Sequence, residues 1–348
     1  MSAPTDFTQV PVVDVAGLLE PDPHQHDRVA AELGRAAREV GFLYITGTGV
    51  DSGLFEELLS VTKVFFDLPL EAKMRCYIGH SRNHRGYVPV GEEVFSGGTT
   101  ELKEAFDLGK DLPADDPDYL AGRMLGPNQW PALAGFASAC AAYYAAVMHL
   151  GRALLRGFAL ALGEVADVFD AHVTKPPSQL RLLHYPHDPN ARDSVGIGAH
   201  TDYECFTILK PTAPGLEVLN GAGEWVDVPP RPDAFVVNIG DILETWTNGT
   251  FVATTHRVRK VVEERWSFPL FFNVDHDTLV APLPQFVRDG ETPRVPIIAG
   301  EHLFAQTAQS FRYLKDRIAS GELVLPDGVL ALSSFGQQAQ AHQPSAPR

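Results

Sequence analysis

The sequence predicts a mainly β fold with flanking helices, its second half an antiparallel sandwich or barrel, and three observations predict it. From residue 180 onward, short β-prone runs follow one another with Gly and Pro between them: "LRLLHY", "ECFTIL", "LEVLN", "EWVDV", "AFVVNIG", "FVATTHRV" and "RWSFPLFF". No helical period is evident among these runs, which argues against βαβ units and a parallel sheet. "LEVLNGAGEWVDV" joins two of them through a glycine-bearing turn, the pattern of an antiparallel hairpin.

The remaining elements follow in order. "VPVVDV" and "GFLYITG" read as short strands, and "DRVAAELGRAAREV" between them repeats apolar residues at helical spacing. A second helix covers "SGLFEELLSVTKVFFDL" and ends before Pro69. Residues 79–130 are rich in Gly, Pro and charge, with "RNHRGYVPVGEEVFSGG" at the centre, and read as long loops. From Pro131 to about Leu162, the residues Leu133, Phe136, Cys140, Tyr143, Val147, Leu150 and Leu154 recur at helical intervals, giving the longest helix. A last helix is expected from about Gly300 to Ser320, and "SSFGQQAQAHQPSAPR" reads as a disordered tail.

A chain of 348 residues with 45% hydrophobic content can bury a large core. Lys and Arg number 28 against 44 Asp and Glu, a net charge of −16, and no basic run occurs, which argues against a phosphate-tracking nucleic-acid surface. Cys76, Cys140 and Cys205 are odd in number and far apart, so a reducing compartment fits better than a disulfide framework. "MSAPTDFTQV" has neither the basic nor the apolar segment of a leader, and no apolar run reaches membrane-spanning length. The expectation is a soluble cytoplasmic protein, monomeric or a small homo-oligomer.

"GIGAHTDYECFTIL" carries the first chemical signal. Residues two apart on an extended segment share a face, so His200 and Asp202 converge there. "FVATTHRV" offers His256 as a third ligand, 54 positions after Asp202. Two imidazoles and one carboxylate on one face of a metal leave about three positions open, the arrangement used by non-heme Fe(II) oxygenases. By itself an HxD pair also suits a turn or a hydrogen-bonded surface pair. Arg265 and Ser267 again stand two apart on one strand face, where a guanidinium fork beside a hydroxyl would receive a carboxylate. The alternative for Arg265 is a strand-edge charge after the polar turn "VVEER".

Taken together, "HTD", "THRV" and "RWS" behind "RLLHYP" resemble the Fe(II)/2-oxoglutarate-dependent oxygenases, in the isopenicillin N synthase-like branch. "VPVVDVAGLL", "VGFLYITGTGV", "RGYVPVGEEV" and "KEAFDLG" extend the likeness into the N-terminal half, so that it covers roughly residues 8–320. The resemblance implies a double-stranded β-helix, or jelly roll, wrapped by N-terminal helices and closed by a C-terminal one. On that basis the chain divides into an N-terminal helical and mixed region (1–175), a jelly-roll core (176–285), a C-terminal helical closure (286–330) and a disordered tail (331–348), as one structural unit.

The resemblance also assigns roles. His200, Asp202 and His256 match the iron ligands, Arg265 and Ser267 the pair that holds the distal carboxylate of 2-oxoglutarate, and Tyr185 a tyrosine that assists it. Leu183 departs from the plant pattern, which has asparagine two residues before that tyrosine. The implied cofactors are Fe(II), 2-oxoglutarate and O2. The implied reaction is hydroxylation, desaturation or cyclisation at an unactivated C–H bond of a small molecule, with release of succinate and CO2. Substrate contacts are expected from Arg82, Arg85, Tyr87, Glu92, Glu93 and Phe106, with Leu183 and Phe272 at the cavity wall, each of which also has an ordinary loop or packing role. Glu92 and Glu93 would meet a cationic substrate if their loop folds over the iron.

Three other readings stand at this point. An oxidase like isopenicillin N synthase would put its substrate's carboxylate in the Arg265 pocket and use no 2-oxoglutarate. A zinc hydrolase would use the same ligand types, although "HExxH" is absent. A binding or sensor protein would keep the scaffold without the reaction.

Overall fold

The structure, a computed structural model, describes residues 5–94, 103–189, 195–259, 262–325 and 329. Its strands are β1 (Val12–Asp14), β2 (Phe42–Thr46), β3 (Gly86–Val88), β4 (Glu104–Gly109), β5 (Gln179–Tyr185), β6 (Val195–His200), β7 (Phe206–Pro211), β8 (Leu216–Leu219), β9 (Trp225–Asp227), β10 (Phe235–Ile239), β11 (His256–Arg259), β12 (Arg265–Phe272), β13 (Leu279–Val280) and β14 (Ile297–Ile298). The helices are α1 (Pro23–Glu39), α2 (Ser52–Phe66), α3 (Leu70–Met74), α4 (Pro117–Leu120), α5 (Phe136–Ala161), α6 (Asp241–Trp246), α7 (Ala299–Ser310) and α8 (Arg312–Ala319).

A major sheet in the order β1-β2-β10-β7-β12-β5-β4-β3 faces a minor sheet in the order β6-β11-β8-β9, and together they form the jelly-roll core. Strand alternation gives the major sheet two different faces. Trp266, Phe268, Leu270 and Phe272 of β12, with Leu180 and Leu182 of β5 and Phe206 and Ile208 of β7, belong to the core shared with α1, α2 and α5. Phe206 stacks on Phe272 with ring centroids 4.8 Å apart. Gly151 lets α5 come this close, because a Cβ there would stand 2.4 Å from the Phe272 ring. On the inner face, Leu183, Tyr185, Leu209 and Val236 meet Ile197, Leu216, Val218 and Val258 of the minor sheet. Each fully buried side chain of this size contributes about 1.5–3 kcal/mol, and the site lies within this inner layer.

The expected strands and the first three helices form, and β8 and β9 make the expected hairpin. Several expectations need correction. The region read as long loops contains β3 and β4, two strands of the major sheet. Its acids hide the alternation that marks a strand: every residue of β4 is buried, so Glu104 and Asp107 are inside and neutralised by partners. Glu104 accepts from Lys73 Nζ (2.7 Å), Tyr87 Oη (2.6 Å) and His184 Nδ1 (2.9 Å).

A helix does interrupt the β-rich half: α6 has six residues, too few for a helical period to register in the sequence. One strand pair, β1 with β2, is parallel. Of "FVATTHRV" only the last three residues are strand. The single C-terminal helix is two, α7 and α8, separated at Phe311, whose extended backbone (φ −98°, ψ 130°) bridges to Glu93. The tail expected over 331–348, residues 1–4 and residues 95–102 of the central loop stretch lie outside the described residues.

Candidate active site

His200 is the last residue of β6 and His256 the first of β11, and the register pairs them directly, with ring centroids 4.3 Å apart. Asp202 arrives by a different route from the one its spacing suggested. The strand ends at His200, and the chain turns, rather than alternating, to bring Asp202 back. Its backbone carbonyl accepts from Asp241 N at 2.8 Å, at the start of α6. Gly240 allows this approach, since a Cβ there would meet Glu204 O at 2.3 Å and Asp202 O at 3.1 Å. Asp202 Oδ1 then lies 3.6 Å from His200 Nε2 and 3.5 Å from His256 Nε2.

The ligand atoms of the three lie within 4.8 Å of one another, the only such group among the described residues. The rings are oriented from behind. His200 Nδ1 is 2.8 Å from Gly198 O, and His256 Nδ1 is 3.2 Å from Thr254 O. A carbonyl cannot donate, so each Nδ1 carries the proton and each Nε2 presents its lone pair to the common point. Burial opposes ionisation of Asp202; the positive charge and N–H donors of proton-bearing imidazoles, whose place a bound cation would take, outweigh it and hold the carboxyl well below its usual range. Neutral imidazole Nε2 atoms and an ionised carboxylate on one side of a point suit a divalent ion of intermediate hardness such as Fe(II).

The second oxygen of Asp202 accepts from Asn238 Nδ2 at 2.7 Å and from Thr207 Oγ1. These donors aim the carboxylate and were not identifiable from spacing. Asn238→Ala is expected to weaken Fe(II) binding about 10–100-fold, the usual effect of losing an outer partner of a ligand. A competitive metal titration followed by fluorescence checks this, and unchanged affinity would mean that Thr207 alone sets the geometry.

Beyond the triad, β5 and β12 face the same cavity. Arg265 pairs in register with Tyr185, and Ser267 with Leu183. The Arg265 guanidinium stands 4.9 Å over the Tyr185 ring, and its Nε donates to Ala213 O at 3.3 Å. Arg265 is only 1% exposed, yet its Nη1 is buried with no hydrogen-bond partner among the described residues. A buried cationic donor without an acceptor is costly, and the shape of the site calls for an anion there. Leu183 lies on the cavity wall, so an apolar surface stands where the plant pattern has an amide.

Of the other expected substrate contacts, only Glu93 lines the cavity. The structure places the rest outside it. Tyr87 donates to Glu104, and Phe106 is fully buried among Phe65, Phe136 and Trp130. Phe272 points to the helical side because it is one residue out of phase with Ser267, Pro269 and Phe271, which line the cavity. Arg85 is buried and donates to the carbonyls of His84 (2.9 Å) and Met124 (3.1 Å). Arg82 lies over the Tyr119 ring at 5.3 Å. Glu92 holds the C-terminal closure, its Oε1 accepting from Tyr313 N (2.9 Å) and its Oε2 from Tyr77 Oη (2.9 Å).

Lys103, Arg181 and Tyr203 also line the cavity and were missed. For Arg181 a signal was present: it stands two and four residues before Leu183 and Tyr185, hence on their face. Its Nη1 donates to Glu93 Oε1 at 2.6 Å, and Lys103 Nζ is 2.6 Å from Glu93 Oε2. Burial alone would raise the Glu93 carboxyl, and these two cations outweigh it, holding it at about 2.

The chain is similar to known proteins over most of its length. Residues 10–133 match the family of the N-terminal domain of the non-haem dioxygenase in morphine synthesis, and residues 176–274 match the 2OG-Fe(II) oxygenase superfamily. The chain is 34% identical to a 2-oxoglutarate-Fe(II) type oxidoreductase (hxnY) of Emericella nidulans, over 85% of this chain and 88% of that protein. It is 33% identical to a homoarginine-6-hydroxylase of rice, Oryza sativa subsp. japonica, over 88% and 99%. Among solved structures, a full-length Neurospora crassa protein in complex with alpha-KG superposes with TM-score 0.74 at 27% identity, covering 92% of this chain and 99% of that one. A putative 2OG-Fe(II) oxygenase family protein from Caulobacter crescentus gives TM-score 0.75 at 30% identity, covering 90% and 99%. The chain thus belongs to the 2OG-Fe(II) oxygenase superfamily, in its isopenicillin N synthase-like branch, and is a dioxygenase that uses Fe(II), 2-oxoglutarate and O2 on small molecules.

Proposed function

We propose that His200, Asp202 and His256 hold the iron, and that Arg265, with Ser267 and Tyr185, binds the distal carboxylate of 2-oxoglutarate. The observation that carries this reading is the buried, unpartnered Arg265 Nη1 in the same cavity as the triad. When bound, iron and 2-oxoglutarate supply an O2-dependent oxidative decarboxylation coupled to oxidation of a substrate C–H bond. The protein's own part is binding and orientation. The backbone carbonyls of Gly198 and Thr254 keep both imidazoles in the metal-binding tautomer, and Asn238 and Thr207 keep Asp202 aimed. Arg265 fixes one end of the keto acid so that its other end faces the triad. Leu183, Ile197, Leu216 and Val258 keep water from the space between, which strengthens each polar contact there.

The test is an anaerobic titration of the Fe(II)-loaded protein with 2-oxoglutarate, followed by the visible metal-to-ligand charge-transfer band of a chelated keto acid. A saturable band is expected. Iron binding without a band would overturn the assignment of the cosubstrate pocket.

The finer expectations rest on other support. The net charge of −16 favours a protein that does not bind nucleic acid, and three buried free cysteines favour a cytoplasmic setting. Among the described residues no helix is long and apolar enough to cross a membrane. Strands from the first region lie within the major sheet and Phe311 of the last bridges to Glu93, which supports regions 1–175, 176–285 and 286–330 acting as one unit in a monomer or small homo-oligomer.

A further inference from the structure

Three charged side chains, Glu93, Lys103 and Arg181, form the wall of the cavity at the end away from Arg265, with Asp107 buried behind them. On β5, Tyr185, Leu183 and Arg181 face inward at two-residue steps, so Arg181 stands about 13 Å along the strand from Tyr185. Arg181 donates from Nε and Nη2 to both oxygens of Asp107 (2.7 and 2.8 Å) and from Nη1 to Glu93 Oε1, whose other oxygen meets Lys103. The side chains are 11% (Arg181), 0% (Asp107), 3% (Glu93) and 5% (Lys103) exposed. Glu93, Lys103 and Arg181 line the same cavity as His200 and Asp202. His84 closes the cluster from behind, with Nε2 3.7 Å from Asp107 and Nδ1 2.5 Å from the Tyr313 hydroxyl. Phe271 and Phe311 cover the Arg181 guanidinium at 5.9 and 5.4 Å.

The wall is therefore dipolar, with the cations Lys103 and Arg181 and the carboxylate of Glu93 at the cavity and the Asp107 carboxyl paired to Arg181 behind it. Charges held this far from water cost several kcal/mol each unless matched, and ion pairs so buried contribute little to stability over apolar packing. Because these charges already pair with one another, a ligand carrying a single charge would add an unmatched charge to the cavity. The iron end gives the same answer: Fe(II), doubly charged 2-oxoglutarate, Asp202 and Arg265 sum to neutrality, so no excess charge there asks for an ionic substrate.

Resting on the assignment of the iron and 2-oxoglutarate sites above, we propose that Glu93, Lys103 and Arg181 form the head-group subsite of a zwitterionic substrate of the α-amino-acid type. Its carboxylate meets Lys103 and the outer edge of Arg181, and its ammonium group meets Glu93. Each wall charge then faces an opposite one, and the net charge of the cavity does not change.

The experiment uses the full chain loaded anaerobically with Fe(II) and 2-oxoglutarate. The charge-transfer band reports the cosubstrate, and its perturbation reports a second ligand. The twenty standard L-amino acids are titrated one by one, then the N-acetyl derivative and the methyl ester of each one that binds. At least one amino acid is expected to perturb the band, and either modification to weaken it by about 30-fold or more, the usual loss when a buried charge is left unpaired. Glu93→Gln is expected to weaken the same amino acid at least tenfold while the band still forms. If the band forms but no amino acid perturbs it, or the acetylated and esterified forms bind as well as the parent, the subsite assignment is wrong. A chain that gives no band at all fails at the cosubstrate pocket, and the proposal falls with that reading. The panel on the unsubstituted chain decides the matter even if Glu93→Gln does not fold.

Discussion

Asp202→Ala is expected to abolish turnover and to weaken Fe(II) binding well beyond the roughly 100-fold that loss of an outer partner costs. The reason is chemical and local. Asp202 supplies the only carboxylate of the three-ligand group, and its Oδ1 sits 3.5–3.6 Å from both imidazole nitrogens. The substitution also strands Asn238 and Thr207, each 3% exposed, whose donors would lose their acceptor at about 1–3 kcal/mol apiece. The variant should therefore unfold at lower urea concentration even when no iron is present. Equilibrium metal titration and urea unfolding check the two parts separately. Wild-type iron affinity in this variant would remove Asp202 from the metal site.

Arg265→Ala is expected to raise the 2-oxoglutarate concentration needed for half-saturation by about 30-fold to several thousand-fold. That range corresponds to the roughly 2–5 kcal/mol lost when one member of a buried, hydrogen-bonded charge pair is truncated. Arg265 is buried against Tyr185, so water cannot take the place of its fork. Arg265→Lys should give an intermediate value, because it keeps the charge and loses both the planar fork and the stack on the ring. The charge-transfer titration measures all three proteins directly. An unchanged requirement in Arg265→Ala would mean that the carboxylate binds elsewhere.

The Arg265 and Ser267 pair was legible because it rests on a short-range rule. Arg265 and Ser267 share a face simply because they are two apart on an extended strand, and β12 has the boundaries that "RWSFPLFF" suggests. His256 was legible as a histidine within a β-prone run. Asp202 was grouped with the histidines by strand alternation, whereas a turn and a glycine contact with α6 bring it to them. The substrate end was read poorly. Residues of the central loop stretch were candidates because they were polar and near glycines, yet Tyr87, Arg85 and Glu92 spend their polar groups on Glu104, on main-chain carbonyls and on the Tyr313 amide.

The sequence by itself determined the class of fold, the family resemblance and the acidic, cysteine-poor character of the protein, and it supplied the residues proposed as ligands and as carboxylate receptor. These depend on alternation along single strands and on the chemistry of side chains a few positions apart. Only the tertiary structure decided that β4 is a buried strand whose acids are paired with basic partners, that the last helix breaks at Phe311 to reach Glu93, and that Lys103, Glu93 and Arg181 form one charged wall backed by Asp107. Those features join residues up to 218 positions apart, as between Glu93 and Phe311. A buried charge looks like any surface charge until the chain brings its partner to it, because what stabilises it is the opposite charge across the fold and not its neighbours in sequence.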